Sequence, residues 1–371
     1  MGQLDLRVQG PRDPGGIGES VAVPVPAKLS LRSIAFELTP RCNQRCLYCY
    51  NAWREEGAAE GTELSAGQVC ALVDKVLAEA ALGHVTLTGG EPFLRADLFE
   101  IIGHINGRGL PVAIISNGRL VDERVAAALA ERDVAYVQVT LLGPDAATHD
   151  ALCGAGSFEG VTRAVERLVA AGVAVGGSFL CTRRNHGSAG ATVRLMRQLG
   201  MLHHVAFNRF NPSGPAAARA AALLPTRSQV LAALGEADAF AGEHGLRVHC
   251  TMPIPHCMAD EAEFPNTEFG VCSAATEQGE YAVDPSGSLK LCTLQRRAVG
   301  SLFQRGFREL VEGEAVVRFR ARRPAFCEAC PHGPSCRGGC GAAADWVFND
   351  PNALDPFLAQ HVGQEGGASA G

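Results

Sequence analysis

Three cysteines, Cys42, Cys46 and Cys49, fall within the run ELTPRCNQRCLYCYNAW. Their CxxxCxxC spacing lets three thiolates converge on one small inorganic group and leaves a fourth position to something other than protein. Iron–sulfur clusters are normally held by four cysteine thiolates, so three ligands in one short loop describe a cubane with one open iron. Close cysteines serve other ends too: half of a zinc site, a redox pair with a spare thiol, or small buried hydrophobes. Disulfides are not expected, because no apolar signal-peptide core opens the chain and intracellular thiols stay reduced. Met1 to Leu6 also lacks the Ser or Thr that a myristoylation signal places sixth. A cytoplasmic protein is expected.

A second group of cysteines lies late in the chain. Fourteen cysteines occur in 371 residues, nine of them after residue 180 and four between Cys327 and Cys340. Cys272 is followed by Gly287 and, four intervening residues later, by Cys292. Cys327, Cys330, Cys336 and Cys340 then spell CxxCxxxxxCxxxC. Paired CxxC spacing is also that of zinc knuckles. Cys70, Cys153 and Cys181 stand in predicted helix, loop and strand and read as core packing.

The loop at Cys42 needs a scaffold, and the flanking sequence supplies an alternation of strands and helices. Ser33 to Thr39 (SIAFELT) reads as a strand that ends at the cysteines. Ser65 and Gln68 form an S-x-x-Q capping box ahead of an apolar stripe at Val69, Leu72, Val73, Val76 and Leu77. The alternation continues through HVTLTGG, PVAIISNG, VAYVQVTLLG, VAVGGSFLC and HVAFNRF, with helices between them. About six strand–helix units with right-handed crossovers give a curved parallel sheet or open barrel. Functional loops of such folds gather at the C-terminal ends of the strands, where the cysteine loop sits.

The length allows two domains, or one domain with an extension. No apolar run is long enough to span a bilayer, and a net charge of −6 argues against a chain held to nucleic acid by its phosphates. Neither a membrane nor a nucleic-acid partner is expected. Gly and Pro punctuate the first thirty residues, which read as a flexible arm.

With CxxxCxxC followed by a strand and TGGEP (Thr88 to Pro92), the chain resembles the radical S-adenosylmethionine superfamily over roughly residues 33–345. The resemblance implies a 4Fe-4S cluster on Cys42, Cys46 and Cys49, with Tyr48 as the aromatic residue before the last cysteine. S-adenosylmethionine would chelate the open iron through its methionyl amino and carboxylate groups. One electron, from a donor such as flavodoxin or ferredoxin, cleaves the sulfonium to a 5'-deoxyadenosyl radical that takes a hydrogen atom from the substrate. Gly89, Gly90, Glu91 and Pro92 match the motif whose backbone hydrogen-bonds the methionyl amino group, so a side chain on Gly90 would obstruct that contact. Ser116, Asn117 and Thr140 match strand ends that carry polar contacts to the cofactor's carboxylate and ribose. The acidic residue that relatives place before the glycine of VTLLG is Leu142 here.

The late cysteines resemble the SPASM extension, which implies one or two auxiliary iron–sulfur clusters. The correspondence assigns Cys272, Cys292 and Cys340 to the first cluster, with Cys257 a candidate fourth ligand, and Cys327, Cys330 and Cys336 to the second. That second set lacks its last cysteine, because none follows Cys340. Asp345, Asp350 or His361 would supply a hard ligand, or an iron stays open. The familiar owners of this extension imply a peptide or protein substrate, such as a precursor peptide. A small-molecule radical enzyme of haem-pathway or carbinol-oxidising type, and a zinc- or cluster-binding scaffold, are the alternatives. Sulfatase maturases carry an acidic residue where this chain has Thr293. The expected architecture is α/β: an arm (1–30), a partial (β/α)6 parallel barrel (31–245), a small Cys-rich iron–sulfur extension (250–345) and a C-terminal tail (346–371).

Overall fold

A computed structural model of the protein describes residues 27–54, 63–276 and 279–368. Six parallel strands form where the alternating apolar runs place them: β1 (Leu29–Glu37), β2 (Ala80–Thr88), β3 (Val112–Ser116), β4 (Val134–Thr140), β5 (Val175–Cys181) and β6 (Val205–Arg209). Between them lie α1 (Ala66–Glu79), α2 (Leu98–Gly107), α3 (Glu123–Ala130), α4 (Ala146–Cys153), α5 (Ser157–Ala170) and α6 (Ala189–Gln198). The capping box of α1 is present in both directions. Its stripe buries Val69, Leu72, Val73 and Val76, each contributing roughly 1.5–3 kcal/mol.

The parallel run then extends further than expected. A single turn, α7 (Ala220–Leu223), and a long helix, α8 (Arg227–Glu243), lead to β7 (Val248–Cys250) and β8 (Thr267–Phe269), both parallel to their neighbours. On the other side of β1 lie β9 (Tyr281–Val283), parallel to it, and the antiparallel β10 (Ser288–Lys290) and β11 (Gly300–Ser301). The sheet order is β11-β10-β9-β1-β2-β3-β4-β5-β6-β7-β8, with two free edges. This is the expected partial barrel, left open, and its C-terminal extension continues the barrel's own sheet.

Both ends of the chain depart from their sequence reading. β1 starts at Leu29, inside the segment read as an arm; residues 1–26 of that arm lie outside the described residues. After α9 (Phe307–Val311), α10 (Glu314–Ala321), α11 (Gly333–Cys336) and α12 (Gly341–Phe348), the last helix α13 (Pro356–Ala368) docks on the barrel. It buries Phe357 and Leu358. The Arg209 guanidinium of β6 lies over the Phe357 ring and pairs with the fully buried Asp355. No described helix is long and apolar enough to cross a membrane.

Candidate active site

β1 ends at Glu37, and the chain turns into the loop that carries the three cysteines. Cys42, Cys46 and Cys49 all line one open pocket of about 110 Å³ at the C-terminal edge of the sheet. Local hydrogen bonds shape this loop: Gln44 N donates to Cys42 Sγ at 3.4 Å, the Cys46 thiol faces Gln44 Oε1 at 3.3 Å, and Cys49 N donates to the Cys46 carbonyl. Donors aimed at sulfur favour the thiolate that a metal requires. No disulfide links any of the fourteen cysteines.

The GGEP turn follows β2, directly beside β1. Gly89 has φ of +125°, a conformation glycine tolerates and other residues rarely adopt. Gly90 N donates to the Thr39 carbonyl at 2.7 Å and Glu91 N to the Arg41 carbonyl at 2.8 Å, so the turn is stapled to the backbone just before Cys42. A Cβ on Gly90 would stand 2.0 Å from the Arg41 carbonyl oxygen. The sequence reading placed a Gly90 side chain against the cofactor; the tertiary structure places it first against the cysteine loop, because β1 and β2 are neighbours.

Glu91 and Pro92 do not line the pocket. Glu91 is fully buried and its carboxylate accepts from Ser116 Oγ (2.8 Å), Asn117 N (2.9 Å) and Phe93 N (3.2 Å). Burial raises its pKa, and these three donors oppose the rise. Glu91 therefore ties the end of β2 to the end of β3. Ser116 spends its hydroxyl on that strut, while the Asn117 side chain donates to Asn43 Oδ1 at 2.8 Å and reaches Cys42 Sγ at 3.8 Å. Tyr48, Gly89, Gly90, Ser116, Asn117 and Thr140 share the pocket wall, as their positions at adjacent strand ends require.

Asn51 belongs to no motif of the sequence. It is buried in the pocket wall, its amide donates to the Gly89 carbonyl, and its Oδ1 has no hydrogen-bond partner. A buried acceptor left open in this way costs about 1–3 kcal/mol unless a ligand donor meets it. An amino group beside Gly89 would meet that need, and glycines that keep Cβ atoms out of the turn leave the backbone accessible. The pocket thus suits a cluster with an amino-bearing ligand.

The family model described as Radical SAM superfamily matches residues 36–187, from the end of β1 to the turn before α6. The chain is 30 % identical over 337 residues to the mycofactocin maturase MftC of Mycobacterium ulcerans, covering 89 % of this chain and 88 % of that one. The chain belongs to the radical SAM superfamily. This radical SAM enzyme is also 30 % identical over 339 residues to the PqqA peptide cyclase of Methylocella silvestris, with 86 % and 85 % of the two chains covered. Among solved structures, it shares its fold with Streptococcus suis SuiB bound to the precursor peptide SuiA, with a TM-score of 0.72 at 12 % identity over 90 % of this chain and 76 % of that one.

Further into the enzyme, the pocket wall joins a buried polar layer. Tyr50 lines the pocket, and burial raises its pKa while Thr88 and Thr293 oppose the rise. Behind it Glu37, at the end of β1, pairs with Lys290 of β10 at 2.8 Å, and the Lys290 ammonium lies 4.7 Å from the Trp53 ring centroid. Burial pushes the Glu37 carboxyl up to about 7 despite the opposing Lys290 charge. His149 also lines the pocket. Its Nδ1 accepts from Leu142 N at 3.1 Å, and burial lowers its pKa to about 4, so the ring is neutral near pH 7. Cys153, read from sequence as core, is buried and also lines this wall: its thiol lies 3.6 Å from Tyr48 Oη.

The late cysteines fall into two groups. Cys272, Cys292 and Cys340 act on one another; burial and then the neighbouring Cys272 and Cys340 raise the Cys292 pKa. The Cys340 thiol is pushed up to about 12 by burial, Asp355 and Cys272. Cys327, Cys330 and Cys336 form the second group. Arg337, Gly338 and Gly339 all have positive φ, a left-handed run that turns the chain between Cys336 and Cys340. Among the described residues, no three His, Cys, Asp or Glu side chains converge tightly enough for a single metal ion. A cluster of several irons spreads its thiolates more widely than one zinc ion with Zn–S bonds of about 2.3 Å.

Proposed function

We propose that this radical SAM enzyme modifies a side chain of a precursor peptide by hydrogen abstraction. The observation that carries the reading is the shared pocket of Cys42, Cys46, Cys49, the Gly89–Gly90 pair and the open Asn51 acceptor at adjacent strand ends. The peptide part is supported by relatives named mycofactocin maturase and PqqA peptide cyclase, each matched along most of its length. When bound, the 4Fe-4S cluster and S-adenosylmethionine supply one-electron cleavage of the sulfonium to a 5'-deoxyadenosyl radical that takes the substrate hydrogen.

The chain's own residues do the rest. Cys42, Cys46 and Cys49 hold three irons, and the Asn117 amide stands over Cys42. The Gly89 carbonyl and Asn51 Oδ1 offer acceptors to the methionyl amino group, while Thr140 and Asn117 offer polar contacts to its carboxylate and ribose. Glu91 holds these strand ends in register, and Tyr48 and Cys153 wall the cluster loop from water. In the C-terminal extension, Cys272, Cys292 and Cys340, and Cys327, Cys330 and Cys336, would hold auxiliary clusters, which would supply a one-electron acceptor or a contact for the peptide. A flavodoxin or ferredoxin supplies the reducing electron. So many thiols committed to metal suit the reducing cytoplasm.

The test is anaerobic incubation of reconstituted enzyme with S-adenosylmethionine, reductant and any short peptide found to be encoded beside its gene. Formation of 5'-deoxyadenosine together with a changed peptide mass is expected. Cofactor cleavage that no such peptide stimulates, but a small-molecule substrate does, would overturn the peptide assignment.

A further inference from the structure

We infer that Cys257 is the fourth protein ligand of the distal auxiliary cluster, beside Cys327, Cys330 and Cys336, and so takes the place of the cysteine absent after Cys340. The inference rests on the auxiliary-cluster reading above. It reverses the pairing implied by the family resemblance, in which Cys257 would join Cys272, Cys292 and Cys340.

Cys257 lies in the excursion between β7 and β8. A tight turn there, in which Met258 N donates to the Pro255 carbonyl at 2.7 Å, projects residues 256 and 257 from the sheet. The His256 ring stacks on His332 with centroids 4.4 Å apart and planes inclined by 22°. His332 lies between Cys330 and Cys336, and its carbonyl accepts the Cys336 backbone N–H at 2.8 Å. The stack therefore pins the residue before Cys257 onto the middle of the CxxCxxxxxC loop. His256 and Cys336 also line one small cavity, which Cys272 shares.

The electrostatic environment agrees with this placement. The Cys257 thiol lies within electrostatic reach of Cys336, Cys327 and Cys330, whereas Cys272 has Arg322 and Arg337 as its charged neighbours. Of the oxygen ligands anticipated from sequence, Asp350 Oδ1 accepts from Asn352 N within its own turn, while the buried Asp345 has Arg297 3.6 Å away and its Oδ1 has no hydrogen-bond partner. A surface thiolate at Cys257 closes the distal set as four cysteines, the usual complement of a 4Fe-4S cluster. Three cysteines then remain at the proximal set, so the site short of a thiolate is the one beside Thr293 and Tyr50.

The test uses the full chain with Cys42, Cys46 and Cys49 changed to Ala, reconstituted anaerobically and read by iron content, Mössbauer and EPR spectroscopy. In this background Cys330→Ala marks the distal signal and Cys272→Ala the proximal one. Cys257→Ala is expected to remove or convert the same component as Cys330→Ala and to leave the proximal component intact, which also reports that the fold survives. Cys257→Ser is expected to keep the distal irons with a shifted signal. Parent-like iron and spectra in Cys257→Ala, or loss of the Cys272-dependent component instead, would overturn the assignment alone. An iron-free parent would overturn the auxiliary-cluster reading together with it.

Discussion

Replacing Gly90 by Ala tests how the cofactor turn and the cysteine loop are joined. The added Cβ would stand 2.0 Å from the Arg41 carbonyl oxygen and 2.6 Å from its carbon, both backbone atoms that no rotamer change can move. An ordinary C···O contact is about 3.3 Å, so the two loops must separate by roughly 1.3 Å. Two hydrogen bonds span this seam, Gly90 N to Thr39 O and Glu91 N to Arg41 O. The separation stretches both to about 4 Å, past the range of a real hydrogen bond. Leaving two buried donors unsatisfied costs about 1–3 kcal/mol each, so binding of S-adenosylmethionine should weaken by roughly 30-fold to 10⁴-fold. Cys42 follows Arg41, so iron retention should fall as well. Anaerobic reconstitution followed by iron analysis, equilibrium binding of S-adenosylmethionine and 5'-deoxyadenosine measurement reads both effects. Gly67→Ala, whose Cβ meets nothing within 4 Å, is the control. Wild-type cofactor affinity and iron in Gly90→Ala would refute the seam.

Changing Cys42, Cys46 and Cys49 together to Ala should remove about four irons and all reductive cleavage of S-adenosylmethionine while the late cysteines still bind iron, as elemental analysis would read. Glu91→Ala strands the Ser116 hydroxyl and the Asn117 and Phe93 amides, and thermal unfolding should report a loss of roughly 3–6 kcal/mol. Glu37 has a folded pKa of about 7, raised by burial, so the folded state holds a proton that the unfolded chain loses near 4.5. Its stabilising contribution is full below about 4.5 and is lost as pH rises through 7, a change of about 3 kcal/mol. The stability difference between wild type and Glu37→Gln, followed by denaturant titration across that window, should change by this amount; a flat difference would count against the buried proton. His149→Phe leaves Leu142 N without its acceptor and should cost about 1–3 kcal/mol in the same measurement, with no new pH dependence above about 4.

The sequence by itself determined the reaction class and the parallel scaffold, because both are written locally. Three ligands to one cluster fit within eight residues, and each strand or helix declares its period over about ten. The α8 cap is written locally too, as Thr226 and Gln229 form a T-x-x-Q capping box. Only the tertiary structure decided what Glu91, Gly90, Asn51 and Cys257 do. Glu91 reads as part of a cofactor motif until β3 brings Ser116 and Asn117 to its carboxylate. Gly90 reads as a cofactor contact until β1 packs beside β2. Asn51 acquires an open acceptor only because Gly89 takes its other end. Among the late cysteines, a left-handed turn at Arg337 to Gly339 separates Cys336 from Cys340, and the His256–His332 stack brings the residue before Cys257 to the CxxCxxxxxC loop from over seventy residues away. Ligand types are local properties of a chain. Their grouping depends on chain reversals and long-range packing, whose energies are set by residues far from the motif.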